Sequence, residues 1–219
     1  MPDSSRIPTL SEEKILWKQV FVLVAGVDEV GRGALAGPVA AAAVILPPKV
    51  HSTILKDIRD SKLLTAKTRE RLAKAINKLA VCTAIGMGPS RIIDSIGILN
   101  ATRLAMKKAI DSLDSKPDSI LIDYLTLPGF DGPEKGVVDG DTRCISIACA
   151  SIIAKVARDA IMVRFETIYP GYNLAGNKGY CTPEHVGLFE KLGPSPIHRL
   201  SFHPKRLLAG SEDNVDNET

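Results

Sequence analysis

The sequence contains no apolar run of about 18 residues, the length that a helix needs to cross a membrane. The opening residues, MPDSSRIPTL, also lack the apolar core of a secretory signal peptide. These two absences argue against a membrane-spanning or secreted protein. We therefore expect a cytoplasmic protein without a membrane partner.

Cysteine is scarce, and its spacing argues against two further classes of protein. The four cysteines form no CxxC pair and have no spacing with histidine that is typical of a zinc site. A disulfide framework is not expected in a chain of 219 residues that lacks a secretion signal. We interpret the four as small buried apolar residues. They are Cys82, Cys144, Cys149 and Cys181.

The formal net charge is only +3, but the charge is unevenly distributed. The end of the chain, SEDNVDNET, has four acids and no base, and removing their four negative charges leaves +7 for the rest. Such a charge is compatible with a polyanionic partner without requiring one. We expect three parts: a helical extension at 1–19, one main domain at 20–209 and a disordered acidic tail at 210–219.

Hydrophobic periodicity predicts an α/β fold with a mixed sheet and a helical C-terminal part. The first two strands are joined by about ten residues, which favours an antiparallel pair over a crossover connection. Ser11, Thr65 and Thr182 are predicted N-caps. The predicted strands are 20–27, 39–46, 81–88, 119–129 and 135–141. The predicted helices are 10–19, 65–80, 97–113, 144–171 and 182–193.

Acidic residues lie at or near the ends of three predicted strands: Asp28 with Glu29, Asp123, and Asp141. Strand ends are where sites assemble in α/β folds. Four carboxylates brought together repel one another unless cations neutralise them, and ligand sets made only of oxygen favour Mg²⁺ and similar ions. Acids at strand ends also serve as turn or cap residues, which is our interpretation of Asp139. Spacing alone therefore leaves a metal site and ordinary turns both open.

Six short motifs between about Gly26 and Pro204 resemble those of a known family. AGVDEVGRGALAGPVAAAAVIL, RDSKLL, LIDYL, GDTRCISIACASIIAKVARDAIM, NKGYCTPEH and HRLSFHP occur in this order. Together they resemble the ribonuclease HII family. The resemblance implies a ribonuclease H-like fold, in which helices flank a mixed five-stranded sheet and a helical segment follows.

The resemblance also implies the reaction. Members of the family hydrolyse the RNA strand of RNA–DNA hybrids and incise 5′ of single ribonucleotides embedded in duplex DNA, leaving 3′-hydroxyl and 5′-phosphate ends. They require Mg²⁺ or Mn²⁺, two divalent ions acting together with the substrate. The expected partners are RNA–DNA hybrids and ribonucleotide-containing DNA duplexes, the expected process is ribonucleotide excision repair, and the expected state is a monomer.

Carried over residue by residue, the resemblance assigns catalysis and metal binding to Asp28, Glu29, Asp123 and Asp141. Asp28 is the best candidate to bridge both ions, because the glycines that follow allow the chain to bend sharply. These are the acids that the strand-end pattern also selected.

The resemblance assigns substrate recognition to Gly31, Arg32 and Gly33 together with Tyr180, which would sense a 2′-hydroxyl and stack on a neighbouring sugar. Lys62 and Lys178 are the basic residues that we expect to contact phosphate. Arg32, Lys155 and Arg199 are weaker candidates. Asn177 stands where the family has histidine before KGY. Unlike histidine, an asparagine side chain does not titrate near neutral pH.

Two other functions stay open beside the metal-dependent ribonuclease. One is a nucleic-acid-binding protein without catalysis, which the presence of all four acids disfavours. The other is a different two-metal phosphoesterase, such as a structure-specific DNA nuclease. Cleavage of matched substrates with Mg²⁺ and with EDTA distinguishes the three.

Overall fold

The computed structural model describes residues 7–50 and 53–202. The predicted acidic tail at 210–219 lies outside these residues, and so do the last two residues of the HRLSFHP motif, His203 and Pro204. No helix within the described ranges is long and apolar enough to cross a membrane. The predicted domain boundaries at residues 19 and 209 stay predictions.

A five-stranded sheet with strand order β3-β2-β1-β4-β5 organises the fold. β1 pairs antiparallel with β2 and parallel with β4, and β4 pairs parallel with β5. The sheet is therefore mixed, as predicted, and the antiparallel pairing of the first two strands is confirmed. The strands are β1 Val24–Val30, β2 Val39–Ile45, β3 Cys82–Gly88, β4 Ser119–Asp123 and β5 Glu134–Val137.

Seven α-helices occur in the described part of the chain. They are α1 Ser11–Lys18, α2 Ala66–Leu79, α3 Ser90–Asp111, α4 Gly140–Arg143, α5 Ile145–Ile168, α6 Leu174–Asn177 and α7 Pro183–Leu192. The helix predicted from residue 97 begins earlier, at Ser90, and residue 97 is instead an internal break. Gly97 has φ 78° there, a conformation outside the helical region that glycine tolerates.

Two of the three predicted N-caps are confirmed. The hydroxyl of Thr65 accepts the N–H of Thr68, and the hydroxyl of Thr182 accepts the N–H of His185. The prediction for Ser11 was wrong, because α1 already begins at Ser11 and Leu10 precedes it. The backbone N–H of Ser11 donates to the hydroxyl of Thr9 at 3.3 Å.

The described residues fall into two compact units. The first contains most of the sheet, and its core forms where buried residues of β2 and α2 pack with the apolar first half of α5. β2 is buried along its whole length, and its alanines allow close packing. Among the described residues it comprises 7–30, 40–50, 53–87 and 103–157.

The second unit has a smaller core of its own. Ala36, Met162, Tyr172, Leu174 and Ile197 form a buried cluster, against which two partly buried aromatic rings pack. This unit contains the tripeptide that follows β1 and the KGY motif. Among the described residues it comprises 31–39, 88–102 and 158–202.

Close packing at Gly26 leads to a prediction about stability. A Cβ at this position would lie 2.2 Å from the backbone carbonyl carbon of Ser146, so Gly26→Ala must displace β1 or α5. Overpacking of this kind costs about 1–3 kcal/mol, and we expect the Tm to fall by about 2–12 °C.

The matched control is Gly187→Ala in α7, where an added Cβ meets no atom within 4 Å. Alanine is the better helix former by about 1 kcal/mol, so the Tm of this variant should stay level or rise. Thermal unfolding followed by circular dichroism measures both. Equal losses in the two variants would contradict the packing argument.

Candidate active site

The first acidic pair lies inside β1. Asp28 is paired with Ala42 and Glu29 with Ala41 in a regular antiparallel ladder that continues to Val30. The acids therefore precede the bend of the chain, which comes at Gly31 with φ 86°. Asp28 is buried, at 4% exposure, and its Oδ1 accepts the backbone N–H of Glu29 at 2.8 Å. Its carboxyl group is thus held in place by the main chain.

The other two acids are neighbours through the backbone. Asp123 is the last residue of β4, which ends there and not at residue 129 as predicted. Its Oδ1 accepts the N–H of Gly140 at 2.6 Å. Asp141 does not end a strand, contrary to the prediction, because β5 stops at Val137. Asp139 forms the predicted turn with φ 53°, and this turn redirects the chain into α4, where Asp141 lies in the first turn.

The four carboxylates lie within one electrostatic field. Burial raises the pKa of Asp28 well above its usual value, and the negative charges of Glu29, Asp123 and Asp141 raise it further. Burial also raises the pKa of Asp141 to about 6, with Asp60 and Asp123 adding to the effect. The structure therefore brings together the four acids that the sequence selected, and it places them where their negative charges oppose one another.

Lys62 is the cation of this cluster. Its Nζ lies 3.8 Å from Oδ2 of Asp141, and its side chain is 80% exposed. Burial alone would lower the pKa of Lys62, but Asp141, Asp60 and Asp28 together raise it. The ammonium group is therefore charged and exposed beside Asp141, and its contact with a phosphate stays a prediction.

Sequence reasoning missed two groups that lie beside the cluster. Ser151 on α5 hydrogen-bonds the Asp28 side chain, which partly offsets the rise in its pKa, and its hydroxyl is 2.9 Å from that of Ser61. Asp60 caps the short 3₁₀ turn Ser61–Leu63 by accepting the N–H of Lys62 at 2.9 Å. A serine within an apolar helix gives no pattern that would have identified the first.

The donor set fits a hard divalent cation. It consists only of carboxylate oxygens, and the raised pKa values of Asp28 and Asp141 show that nearby positive charge would stabilise their ionised forms. Among the residues that the structure describes, no three Asp, Glu, His or Cys side chains form a ready-made metal cage. The four acids are thus electrostatic neighbours without forming a closed set of ligands.

In the second unit, Arg199 holds the tripeptide that follows β1. Its guanidinium donates to the carbonyl oxygens of Gly31 at 2.6 Å, Arg32 at 2.7 Å and Gly37 at 3.0 Å. Arg199 is only 1% exposed, so its prediction as a phosphate contact was wrong. Burial lowers the pKa of Arg199 to about 9. Gly33 is exposed, and an added Cβ there would meet no atom within 4 Å, which leaves its backbone open to a ligand.

A second buried arginine, Arg158, joins this segment to the KGY motif. It donates to the carbonyl oxygens of Pro38 at 2.9 Å, Lys178 at 2.8 Å and Ala36 at 3.1 Å. Its guanidinium carbon also lies 5.2 Å from the ring centroid of Tyr180, a cation–π contact. The backbone that carries the predicted recognition residues of this unit is therefore held by the guanidinium groups of Arg158 and Arg199. The sequence did not identify either arginine as a residue that holds the backbone.

The backbone around Tyr180 is fixed by further buried groups. Asn177 donates to the carbonyl oxygen of Tyr172 and accepts the N–H of Gly179, both at 2.7 Å. The ammonium group of Lys178, a predicted phosphate contact, donates to the carbonyl oxygen of Ala175. Asn177 thus has a structural role at the place where the resemblance expects histidine.

Two buried histidines continue the network. The N–H of Ser195 donates to Nδ1 of His198 at 3.0 Å, so the proton of that ring is on Nε2, which lies 3.1 Å from Nε2 of His185. Nδ1 of His185 then donates to the carbonyl oxygen of Tyr180 at 2.8 Å. Burial, together with the neighbouring His185, lowers the pKa of His198 to about 4. The pair is therefore neutral at physiological pH.

Solved structures share this fold. The ribonuclease H2 of Pyrococcus horikoshii superimposes with a TM-score of 0.69 at 24% identity, over 89% of this chain and 99% of that chain. Bst-RNase HIII in complex with Mn²⁺ superimposes with a TM-score of 0.59 at 20% identity, over 90% and 72%. The mixed five-stranded sheet with flanking helices is thus a ribonuclease H fold.

Sequence similarity identifies the family. A family model described as Ribonuclease HII matches residues 25–205. The Ribonuclease HII of Dehalococcoides mccartyi strain 195 is 52% identical over 201 residues, which are 92% of this chain and 95% of that protein. This chain belongs to the ribonuclease HII family and is a hydrolase of the ribonuclease H type.

Repulsion within the acidic cluster predicts a pH-dependent change in stability. The pKa of Asp141 is about 6 in the folded protein against 3.8 as its ordinary value, so the ionised side chain lowers stability as the pH rises through this window. In EDTA at pH 8, Asp141→Asn should therefore raise the Tm by about 2–6 °C. The gain should vanish near pH 4, where the wild-type carboxyl group is protonated.

The control is Asp111→Asn, which removes an exposed carboxylate paired with Lys107. Surface pairs of this kind contribute little, so this variant should show no gain at either pH. Thermal unfolding of both variants at the two pH values is the measurement. A lower Tm for Asp141→Asn at pH 8 would contradict the picture of a repulsive cluster.

Proposed function

We propose that this protein is an endoribonuclease that hydrolyses the RNA strand of RNA–DNA hybrids and incises 5′ of single ribonucleotides embedded in duplex DNA. Cleavage would leave 3′-hydroxyl and 5′-phosphate ends. The observation that carries the proposal is the cluster of four carboxylates around β1 and α4, two of which have raised pKa values. Family membership supports the same reaction.

We assign metal binding to Asp28, Glu29, Asp123 and Asp141. Two Mg²⁺ or Mn²⁺ ions bound there would activate a water molecule and stabilise the leaving oxygen. A structural neighbour described in complex with Mn²⁺ supports a divalent ion. The chain itself orients the ligands, since the backbone N–H of Glu29 and the Ser151 side chain hold Asp28.

We assign substrate recognition to the tripeptide Gly31-Arg32-Gly33, to Tyr180, and to Lys62 and Lys178. Because Arg199 already binds the carbonyl oxygens of Gly31 and Arg32, the open backbone at Gly33 is the best candidate to approach a ribose. The 2′-hydroxyl of that ribose distinguishes RNA from DNA. The exposed ammonium group of Lys62 is suited to a phosphate near Asp141.

The biological setting follows from the reaction. Incision beside an embedded ribonucleotide is the step that ribonucleotide excision repair requires, and we propose that process for this protein. Cytoplasmic location and a monomeric state remain predictions.

Loss of the central carboxylate should abolish cleavage. Asp28→Asn keeps an oxygen that can accept the Glu29 N–H, so the fold should persist while kcat falls by at least about 1,000-fold. The measurement uses a labelled duplex with one ribonucleotide, a long hybrid and an all-DNA duplex, each with Mg²⁺ and with EDTA. Asp111→Asn, at an exposed position, should cleave like the wild type.

The substrates also distinguish the competing functions. Binding of the wild-type protein without any cut in Mg²⁺ or Mn²⁺ would favour a binding protein. An all-DNA duplex cut as fast as the ribonucleotide duplex would favour a DNA nuclease. Either result overturns the proposal.

Tyr180 should matter more for the junction than for long hybrids. Tyr180→Ala removes a ring that is mounted on Arg158, and stacking on one nucleotide is worth about 1–3 kcal/mol. We expect kcat/KM for the single-ribonucleotide duplex to fall about 10- to 100-fold, with a smaller loss on the long hybrid. Tyr180→Phe keeps the ring and should retain most of the preference. Equal losses on both substrates in Tyr180→Ala would remove this recognition role.

A further inference from the structure

The N-terminal extension contacts the chain where α4 meets α5. α4 ends at Arg143 and α5 begins at Ile145, so Cys144, in an extended conformation, is the single residue between them. Thr9 pairs with this junction from both sides. Its N–H donates to the carbonyl oxygen of Arg143 at 3.0 Å, and its carbonyl oxygen accepts the N–H of Ile145 at 3.1 Å.

Glu13 on α1 holds the first turn of α5. It is fully buried, and its Oε1 accepts both the backbone N–H of Ser146 at 2.8 Å and the Ser146 hydroxyl at 2.7 Å. The first N–H groups of a helix lack partners within the helix, so this carboxyl group supplies a cap from a distant part of the chain. Burial raises the pKa of Glu13, and the bonds from Ser146 oppose that rise.

Other contacts fix α1 itself. Glu12 forms an ion pair with Lys135 of β5 at 2.6 Å. Leu16 and Trp17 pack against a buried cluster that includes Cys144 and Ile147. Residues 9–17 of the extension therefore contact the end of α4, the start of α5 and β5. These residues lie outside the match to the family model, which begins at residue 25.

The junction matters because α4 carries Asp141. A helix of four residues is too short to be stable alone, so its neighbours must fix its position. One end is held by Asp123, whose Oδ1 accepts the N–H of Gly140. The other end is held by Thr9. Asp141 thus lies between an anchor inside the acidic cluster and an anchor supplied by the extension.

We propose that the N-terminal extension is a positioning element of the active site, and that Glu13 acts through Ser146 and the α4–α5 junction to place Asp141 for metal binding. This inference rests on the proposed function, because it takes Asp141 as a metal ligand. Residues that orient metal ligands typically change metal affinity about 10- to 100-fold when they are replaced.

The test uses the full chain without substrate. Glu13→Ala should weaken Mn²⁺ binding about 10-fold, measured by calorimetry and by the Mn²⁺-dependent rise in Tm. Hydrogen exchange of the amides in 140–146 should become at least about 10-fold faster. Ser146→Ala is a milder variant that removes only the hydroxyl donor, so it covers the case in which Glu13→Ala does not fold. It should change both measurements in the same direction by about 3-fold.

The matched control is Glu12→Ala, on the same helix and one residue away. It breaks the ion pair with Lys135 but leaves the contacts of Glu13 in place, so Mn²⁺ affinity should stay within about twofold of the wild type. A folded Glu13→Ala or Ser146→Ala protein with a lower Tm but wild-type Mn²⁺ affinity would overturn the inference and leave the proposed function intact. A wild-type protein that binds no Mn²⁺ and no Mg²⁺ would overturn both.

Discussion

Repulsion among buried carboxylates is the constraint on which the rest of the site depends. Asp28 and Asp141 are buried beside other acids, and burial with like charge raises both of their pKa values. The surrounding groups reduce this penalty only in part: Ser151 and the Glu29 N–H contact Asp28, and Lys62 lies near Asp141. A site of this kind is electrostatically incomplete without cations, which is why its geometry favours a metal-dependent reaction.

In the second unit, two buried arginines fix the main chain of the tripeptide Gly31-Arg32-Gly33 and of the KGY motif. Arg158 and Arg199 together donate to six carbonyl oxygens around the tripeptide and the KGY motif. Guanidinium groups suit this task, because their donors have a fixed planar geometry and they remain charged when buried. A backbone held in this way is fixed before any ligand arrives, and an added Cβ at Gly33 would meet no atom within 4 Å. This is the basis of the recognition role that we propose for the tripeptide.

Local signals in the sequence predicted much of the fold. Thr182, Pro183 and Gly193 bound α7 as expected, because caps and helix-terminating residues act within a few positions. The misses concern where elements begin and end. Ser11 is a good capping residue that is not used as one, and Asp141 leaves the predicted strand because Asp139 turns the chain into α4.

The sequence by itself determined most of the longer elements, the antiparallel pairing of the first two strands and the choice of four acids, since hydrophobic periodicity and short motifs are local properties. Only the tertiary structure decided which charged residues are buried and what they hold. Glu13 lies 133 positions from Ser146, and Arg199 lies 168 positions from Gly31. The charge of a glutamate or an arginine predicts a solvated surface residue, and burial with several hydrogen-bond partners reverses that expectation only once the chain has folded.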